Sequence, residues 1–451
     1  MEDIYKEFKQ LWRESNLNSE NLFELLLILI LWRYLSDITL TDHKDRYLWS
    51  DPGREYHFNS LGNQDISKSI YFLNMSLQKW RKANKQLDNI FYVDEKNLKD
   101  ENVINAWELV KNITSNFSLA DRWSKEYSKS LFDKVSSFFL NDWQFAHEYF
   151  TPADVSKLMA GLVKRTDEVT VYDPSCGSGD LLHAALIDLP KVFGVAGVTK
   201  SSFMHKFTEI RLLLLNIPFE LFHRYEEVQN GKFDIILTNP PFGIKEPIYK
   251  NVAEIGRWSG SPATKRSVTR YLTEILDRLS EKGTAIVILP NGILSERANG
   301  FLRKEIIEEN LVEAIIHLPK SIFYQTRVSA SLLLLNKQKK NTDSLFIDAS
   351  KFGIKKGDRV GLADHCVQSI LDLYHNNKQV TSDLTNSDNK VIRVGLDMLR
   401  EHDYDLQYTT YDTPVKYIQP RPSVEILKEC LILETELSDI QKKIKEIIIN
   451  T

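Results

Sequence analysis

The chain has 451 residues, 42% of them hydrophobic and 27% charged, the balance of a globular protein too long for one ordinary domain. Its net charge of −4 excludes a wholly basic nucleic-acid binder, although a local basic cleft fits inside such an average. Cys176, Cys366 and Cys430, with no C-x-x-C spacing, exclude a disulfide framework or a cysteine zinc site, and no metal is expected.

The opening Met1-Glu-Asp-Ile4 lacks the basic start of a signal peptide. The most apolar run, Leu25 to Trp32, lies between Glu24 and Arg33 and is too short to span a bilayer. It reads as a buried helix, and the protein as cytoplasmic, without membrane contact. Leu11, Leu22, Phe23, Leu26, Leu27 and Ile30 recur at helical spacing. Further helices are predicted over Asp65–Lys85, Val103–Phe117 and Lys129–Phe139, so residues 1–140 read as an all-α domain.

From Phe150 the pattern changes. Short Val- and Ile-rich runs at Val169–Tyr172, Val192–Val198, Phe233–Leu237, Thr284–Leu289, Val312–Leu318 and Ser329–Leu335 predict strands. Helices are predicted between them at Ala153–Lys164, Asp180–Ile187, Ser202–Leu215, Val268–Ser280 and Ala298–Glu309. This alternation defines an α/β class with a mostly parallel sheet, in which ligands bind beyond the carboxyl ends of strands. In the tail, Ile426, Cys430, Leu433, Leu437, Ile440, Ile444 and Ile447 follow a 4-3 spacing, a heptad seam on an amphipathic helix over residues 423–449. That stripe either folds back on its own domain or meets another chain.

Two motifs sit at predicted strand ends. Asp173-Pro-Ser-Cys-Gly-Ser-Gly-Asp180 follows the strand Val169–Tyr172 and opens a helix. Glycines there let backbone approach a ligand, and the carboxylate suits a cationic group; a tight strand-to-helix turn explains the same piece. Asn239-Pro-Pro-Phe242 follows the strand Phe233–Leu237. An asparagine carbonyl and a proline carbonyl converging on one point could hold both hydrogens of an exocyclic amino group. The prolines would fix the loop and Phe242 would stack on a ring.

Taken together and in this order, these motifs resemble those of amino-group DNA methyltransferases. More closely, the chain is similar to the modification subunit of type I restriction-modification systems, the N6-adenine branch. The aromatic-Thr-Pro segment His147–Ala153 precedes the glycine loop, as in that family. Leu289-Pro-Asn-Gly-Ile-Leu294, Leu318-Pro-Lys-Ser-Ile-Phe323, Leu345–Ser350 and Leu31–Asp37 resemble further family segments.

The resemblance implies a class I S-adenosylmethionine-dependent methyltransferase fold, Rossmann-like, over residues 141–360. A C-terminal region, 361–451, would carry the heptad helix. Asn239, Pro240, Pro241 and Phe242 would hold and stack a flipped adenine. Glu148, Tyr149, Phe150, Thr151, Pro152 and Ala153 would line the S-adenosylmethionine pocket. Asp173, Cys176, Gly177, Ser178, Gly179 and Asp180 would surround the methionine part of that cofactor. Implied partners are double-stranded DNA, a specificity subunit gripped by the heptad helix, and a restriction subunit.

Two positions depart from the pattern. Where a carboxylate usually grips the cofactor ribose, the chain has Thr199, which cannot accept from two hydroxyls as a carboxylate does. The next strand end, Phe219-Glu-Leu-Phe-His-Arg224, lacks a Gly-Asp pair, leaving Glu220, Glu226 or Glu227 as stand-ins. These departures keep open a scaffold or DNA-binding component that has lost the cofactor; a protein glutamine or an RNA base is a third class of target. Basic stretches at Lys337–Lys340 and Lys351–Lys356, and Arg257, Lys265, Arg266 and Arg270, either neutralise phosphates or are solvated surface charge.

Overall fold

The computed structural model describes residues 25–31, 33–34, 100–114, 150–215, 217–228, 231–241, 267–323, 328–356, 359–377, 391–412, 435 and 437. The chain divides into two compact units, Met1–Tyr408 and Thr409–Thr451.

In the first unit the strands are β1 (Val169–Asp173), β2 (Val192–Val198), β3 (Phe219–Phe222), β4 (Phe233–Thr238), β5 (Leu279–Pro290), β6 (Val312–His317), β7 (Ala330–Asn336), β8 (Ser344–Asp348), β9 (Gly353–Lys356), β10 (Arg359–Leu362) and β11 (Val391–Val394). The helices are α1 (Asp100–Thr114), α2 (Ala153–Leu162), α3 (Asp180–Asp188), α4 (Ser202–Leu213), α5 (Ser267–Arg278), α6 (Asn291–Ser295), α7 (Gly300–Glu308), α8 (Asp364–Asn377) and α9 (Leu396–Glu401). A last short helix, α10 (Tyr408–Tyr411), spans the boundary between units.

Nine strands form one sheet in the order β11-β8-β6-β7-β5-β4-β1-β2-β3. β3, β2, β1, β4 and β5 run parallel, and β7 runs antiparallel between β5 and β6. Every residue of β6 is buried, as the two covered faces of such a sheet require. The chain winds outward from β1 through β2 to β3, then returns to β4 on the other side of β1. That reversal opens a crevice beyond the carboxyl ends of β1 and β4. The pairing Tyr172↔Ile236 brings Asp173 beside Leu237, so the glycine motif and the Asn-Pro-Pro motif leave the sheet side by side.

Local chemistry sets the crossovers. Ser201 Oγ accepts from Met204 N at 3.2 Å and caps α4. The β9–β10 hairpin is held to α2 by Asp154, which accepts from Arg359 Nη2, Lys356 Nζ and Leu362 N. Its side chain is 6% exposed. Residues 25–31 and 33–34 are helical, and Leu25 to Leu31 share the apolar core with the sheet; Tyr34 Oη donates to Leu213 O. No helix among the described residues is long and apolar enough to cross a membrane.

The predicted strands from Val169 to Leu335 are all present, with ends shifted by a few residues. The expected helices over 65–85 and 129–139 lie outside the described residues, as does the heptad helix apart from Thr435 and Leu437, both helical.

Candidate functional site

Asp173 ends β1 and is 1% exposed. Its Oδ1 accepts from Ser175 N at 2.8 Å. Burial pushes its carboxyl up to about 7, opposed by the Ser175 amide and the Thr238 hydroxyl and assisted by the negative charge of Asp180. Thr238, the last residue of β4, is fully buried. Its Oγ1 lies close enough to lower Asp173 yet makes no well-formed hydrogen bond.

The loop after Asp173 needs its glycines. Gly177 and Gly179 have φ of 50° and 75°, a region that side chains disfavour. A Cβ on Gly179 would stand 2.7 Å from Thr208 Cγ2. Thr208 Oγ1 in turn donates to Gly177 O at 2.8 Å, pinning the loop to α4. Cys176 is buried, its thiol pushed well up by burial, and it packs against Gly197, where an added Cβ would meet Sγ at 2.9 Å. It is a neutral wall of the loop.

Asp180 is the knot of the site. Its Oδ2 accepts from Ser178 Oγ at 2.6 Å and from Thr151 N at 3.0 Å; its Oδ1 accepts from Arg211 Nη1 at 2.6 Å. Arg211 Nη1 also donates to Ser178 O at 3.0 Å. Both carboxylate oxygens are therefore engaged by the chain's own donors. Asp180 ties the glycine loop, α4 and the Thr151 segment into one body.

Thr151 then reaches the second motif: Asn239 Nδ2 donates to Thr151 Oγ1 at 3.2 Å. With the amide nitrogen so held, Asn239 Oδ1 is presented as the acceptor. Pro240 is buried and Pro241 half-buried. Phe150 is buried edge-on to Phe207, ring centroids 5.8 Å apart. Pro152 precedes α2, its carbonyl accepting from Val155 N and Ser156 N, and Ala153 is exposed at the helix start. Glu148, Tyr149 and Phe242 lie outside the described residues.

Thr199 is 5% exposed and its backbone N–H donates to Phe222 O, which places it at the β2 carboxyl end with no acid beside it in the chain. Of the stand-ins, Glu220 is exposed on β3, and Glu227 accepts from His223 N and Arg224 N in a local cap. The side chain of Glu226 lies outside the described residues. Two imidazoles stand here that the sequence reading passed over: His205 Nδ1 and His223 Nε2 are 3.5 Å apart. Burial pushes His205 down to about 4, so its ring is neutral near pH 7. Arg211, Thr208 and Thr238 were also passed over, because their importance lies in contacts across 31 to 33 residues or across the sheet, which no local motif signals.

These residues fit the methionine part of S-adenosylmethionine. A buried carboxyl stands at the strand end, where a cationic group would suit it, an underbonded Thr238 hydroxyl lies beside it, and the glycine turn leaves backbone open for close approach. Fold and site together define a class I S-adenosylmethionine-dependent methyltransferase architecture. Residues 128–418 match the N-6 DNA Methylase family, and the chain belongs to it.

The chain is 26% identical over 353 residues to the type I restriction enzyme MpnII methylase subunit of Mycoplasma pneumoniae, covering 70% of this chain and 62% of that one. It is 26% identical over 328 residues to the MjaVII methylase subunit of Methanocaldococcus jannaschii, covering 67% and 54%. The matches therefore span 62% and 54% of the length of these relatives. In fold it is similar to the type I restriction-modification methyltransferase subunit from Streptococcus thermophilus, with a TM-score of 0.72, 20% identity, and 90% and 98% of the two chains covered.

Proposed function

We propose that the chain is the modification subunit of a type I-like restriction-modification system, a cytoplasmic enzyme that methylates N6 of adenine in DNA. The Thr151–Asn239 hydrogen bond carries this reading, because it joins the cofactor side of the site to the base-holding motif in one preorganised unit. Asn239 Oδ1 and the Pro240 carbonyl accept the two hydrogens of the target amino group, which draws the nitrogen lone pair out of conjugation with the ring. Pro241 stiffens the strand exit and Phe242 stacks on the base, which must leave the duplex to reach them. Phe150, Thr151, Pro152 and Ala153, with Glu148 and Tyr149 before them, wall the cofactor pocket. Asp173 binds its ammonium, while Cys176, Gly177, Ser178 and Gly179 form the turn around it.

S-adenosylmethionine, when bound, supplies an electrophilic methyl group, so no side chain has to act as a strong base. Thr199 covers the ribose with a single hydroxyl. Double-stranded DNA is the substrate, and a specificity subunit would read its sequence, gripped by the heptad helix of residues 423–449. A restriction subunit would complete the assembly. The helical domain 1–140, the methyltransferase domain 141–360 and the region 361–451 are the proposed divisions.

A scaffold that has lost the cofactor is favoured by one observation only, the absence of an acid at Thr199 with Glu227 engaged locally. Calorimetry with S-adenosylmethionine separates the two. The enzyme reading expects saturable binding abolished by Gly177→Trp; no binding by the intact protein would leave the scaffold.

A further inference from the structure

The amino-terminal edge of the sheet, opposite the site above, holds a cavity of about 410 Å³. Asn336 at the end of β7, Glu313 and Leu345 near the starts of β6 and β8, and Arg393 in β11 line it. A second cavity, about 430 Å³, shares Asn336, Gln338 and Tyr374 with the first, so the two adjoin. Volumes of this size suit small ligands; the rod of a DNA duplex could not enter.

The lining is biased towards positive charge. Lys339, Lys340 and Arg393 face the first cavity, and Lys164, Arg165 and Lys282 the second. The three acids among the described lining residues are engaged within the chain. Asp167 pairs with Arg165 at 2.6 Å and Asp343 with Arg393 Nη1 at 2.8 Å. Glu313 accepts from Tyr374 Oη at 2.6 Å and from Asn336 Nδ2. The four lysines form no ion pair among the described residues. Lys339 Nζ has a neutral partner, Asn310 Oδ1, at 2.9 Å, and burial pushes its ammonium down to about 8.

Arg393 adds an independent observation. Its side chain is 7% exposed, and beyond the bond to Asp343 its Nε and Nη2 are buried with no hydrogen-bond partner among the described residues. Those two nitrogens are the side-on fork of the guanidinium, the pair that matches two oxygens of one phosphate or carboxylate. Buried donors without acceptors are rare in folded proteins and call for an explanation.

We propose that the adjoining cavities form a binding site for a small ligand carrying two or more phosphate groups, held by the Arg393 fork, Lys339 and Lys340, with Lys164 and Lys282 taking the further charge. Lys339 and Lys340, in the basic stretch of residues 337–340, thereby acquire a role separate from methyl transfer. Phosphate is favoured over a single carboxylate because the cations are spread across both cavities.

Calorimetry of the full-length protein with inorganic pyrophosphate at low ionic strength tests this. Saturable binding is expected, weakened about tenfold or more by Lys339→Glu and by Lys340→Glu. S-adenosylmethionine affinity should be unchanged in both variants. Lys340 is exposed, so its charge reversal leaves folding intact even where Arg393→Met does not. Absence of saturable binding, binding by either glutamate variant as tight as that of the unmodified protein, or displacement of pyrophosphate by S-adenosylmethionine would each overturn the proposal. A short DNA duplex weakened by the same substitutions, with no pyrophosphate binding, would overturn it in favour of a DNA-backbone contact.

Discussion

Thr151 and Asp173 show how single side chains set the chemistry of this site. Thr151 touches no reacting atom in the proposed mechanism, yet its Oγ1 fixes the rotation of the Asn239 amide. Thr151→Val should lower kcat about tenfold to a hundredfold while leaving the KM for DNA nearly unchanged, and Thr151→Ser should restore most of it. A purely structural residue would instead lower the melting temperature in both variants. Asp173 makes a prediction about pH. Burial raises its carboxyl from 3.8 to about 7, so the folded chain keeps a proton that the unfolded chain has released between those values. The associated stability is fully present below about pH 4 and is lost as pH rises through about 7. Asp173→Asn should therefore stabilise the ligand-free protein at pH 8, by up to about 4 kcal/mol. The same substitution should abolish S-adenosylmethionine binding. In the unmodified protein, affinity for the cofactor should rise between pH 6 and pH 8 as the carboxylate forms. Thermal melts and calorimetry across that range read both effects.

At the scale of elements, the junction of β1 and α3 concentrates the constraints. Gly179→Ala places a methyl group against Thr208 at a residue with φ of 75°, and should cost about 1–3 kcal/mol together with most cofactor affinity. Breaking the buried pair below it, by Arg211→Met, leaves Asp180 without its charged partner and should cost about 3–5 kcal/mol in chemical denaturation. The order of strands and helices was legible in the sequence, because Val- and Ile-rich runs punctuated by helical periodicity are what a doubly covered sheet demands. The glycine turn and the Asn-Pro-Pro exit were legible for the same reason, since each is a local backbone requirement. The strands β8 to β11 do not stand out as strands in the sequence: β9 (Gly-Ile-Lys-Lys) and β10 (Arg-Val-Gly-Leu) carry lysine, arginine and glycine where an apolar run would signal a strand, and β8 and β11 break theirs with Asp348 and Arg393. Nor was the engagement of Asp180 legible: which donors a carboxylate meets depends on Thr151 and Arg211, 29 and 31 residues away.

At the scale of the molecule, the sheet separates two edges with different chemistry. The carboxyl edge carries the neutral, glycine-lined site with Asp173 and Asn239; the amino edge carries the lysine-rich cavities. The heptad seam of residues 423–449 predicts that a chain ending at residue 422 still binds S-adenosylmethionine but no longer co-purifies with a specificity subunit. Retained association after truncation would assign that contact elsewhere. The most direct measurement is mass spectrometry of nucleosides from cognate DNA incubated with S-adenosylmethionine and the chain in complex with the proposed specificity subunit. The proposed activity predicts N6-methyladenine, lowered about a hundredfold or more by Asn239→Ala with cofactor binding retained. Bound S-adenosylmethionine without any methylated adenine, or methylation of cytosine instead, would contradict it.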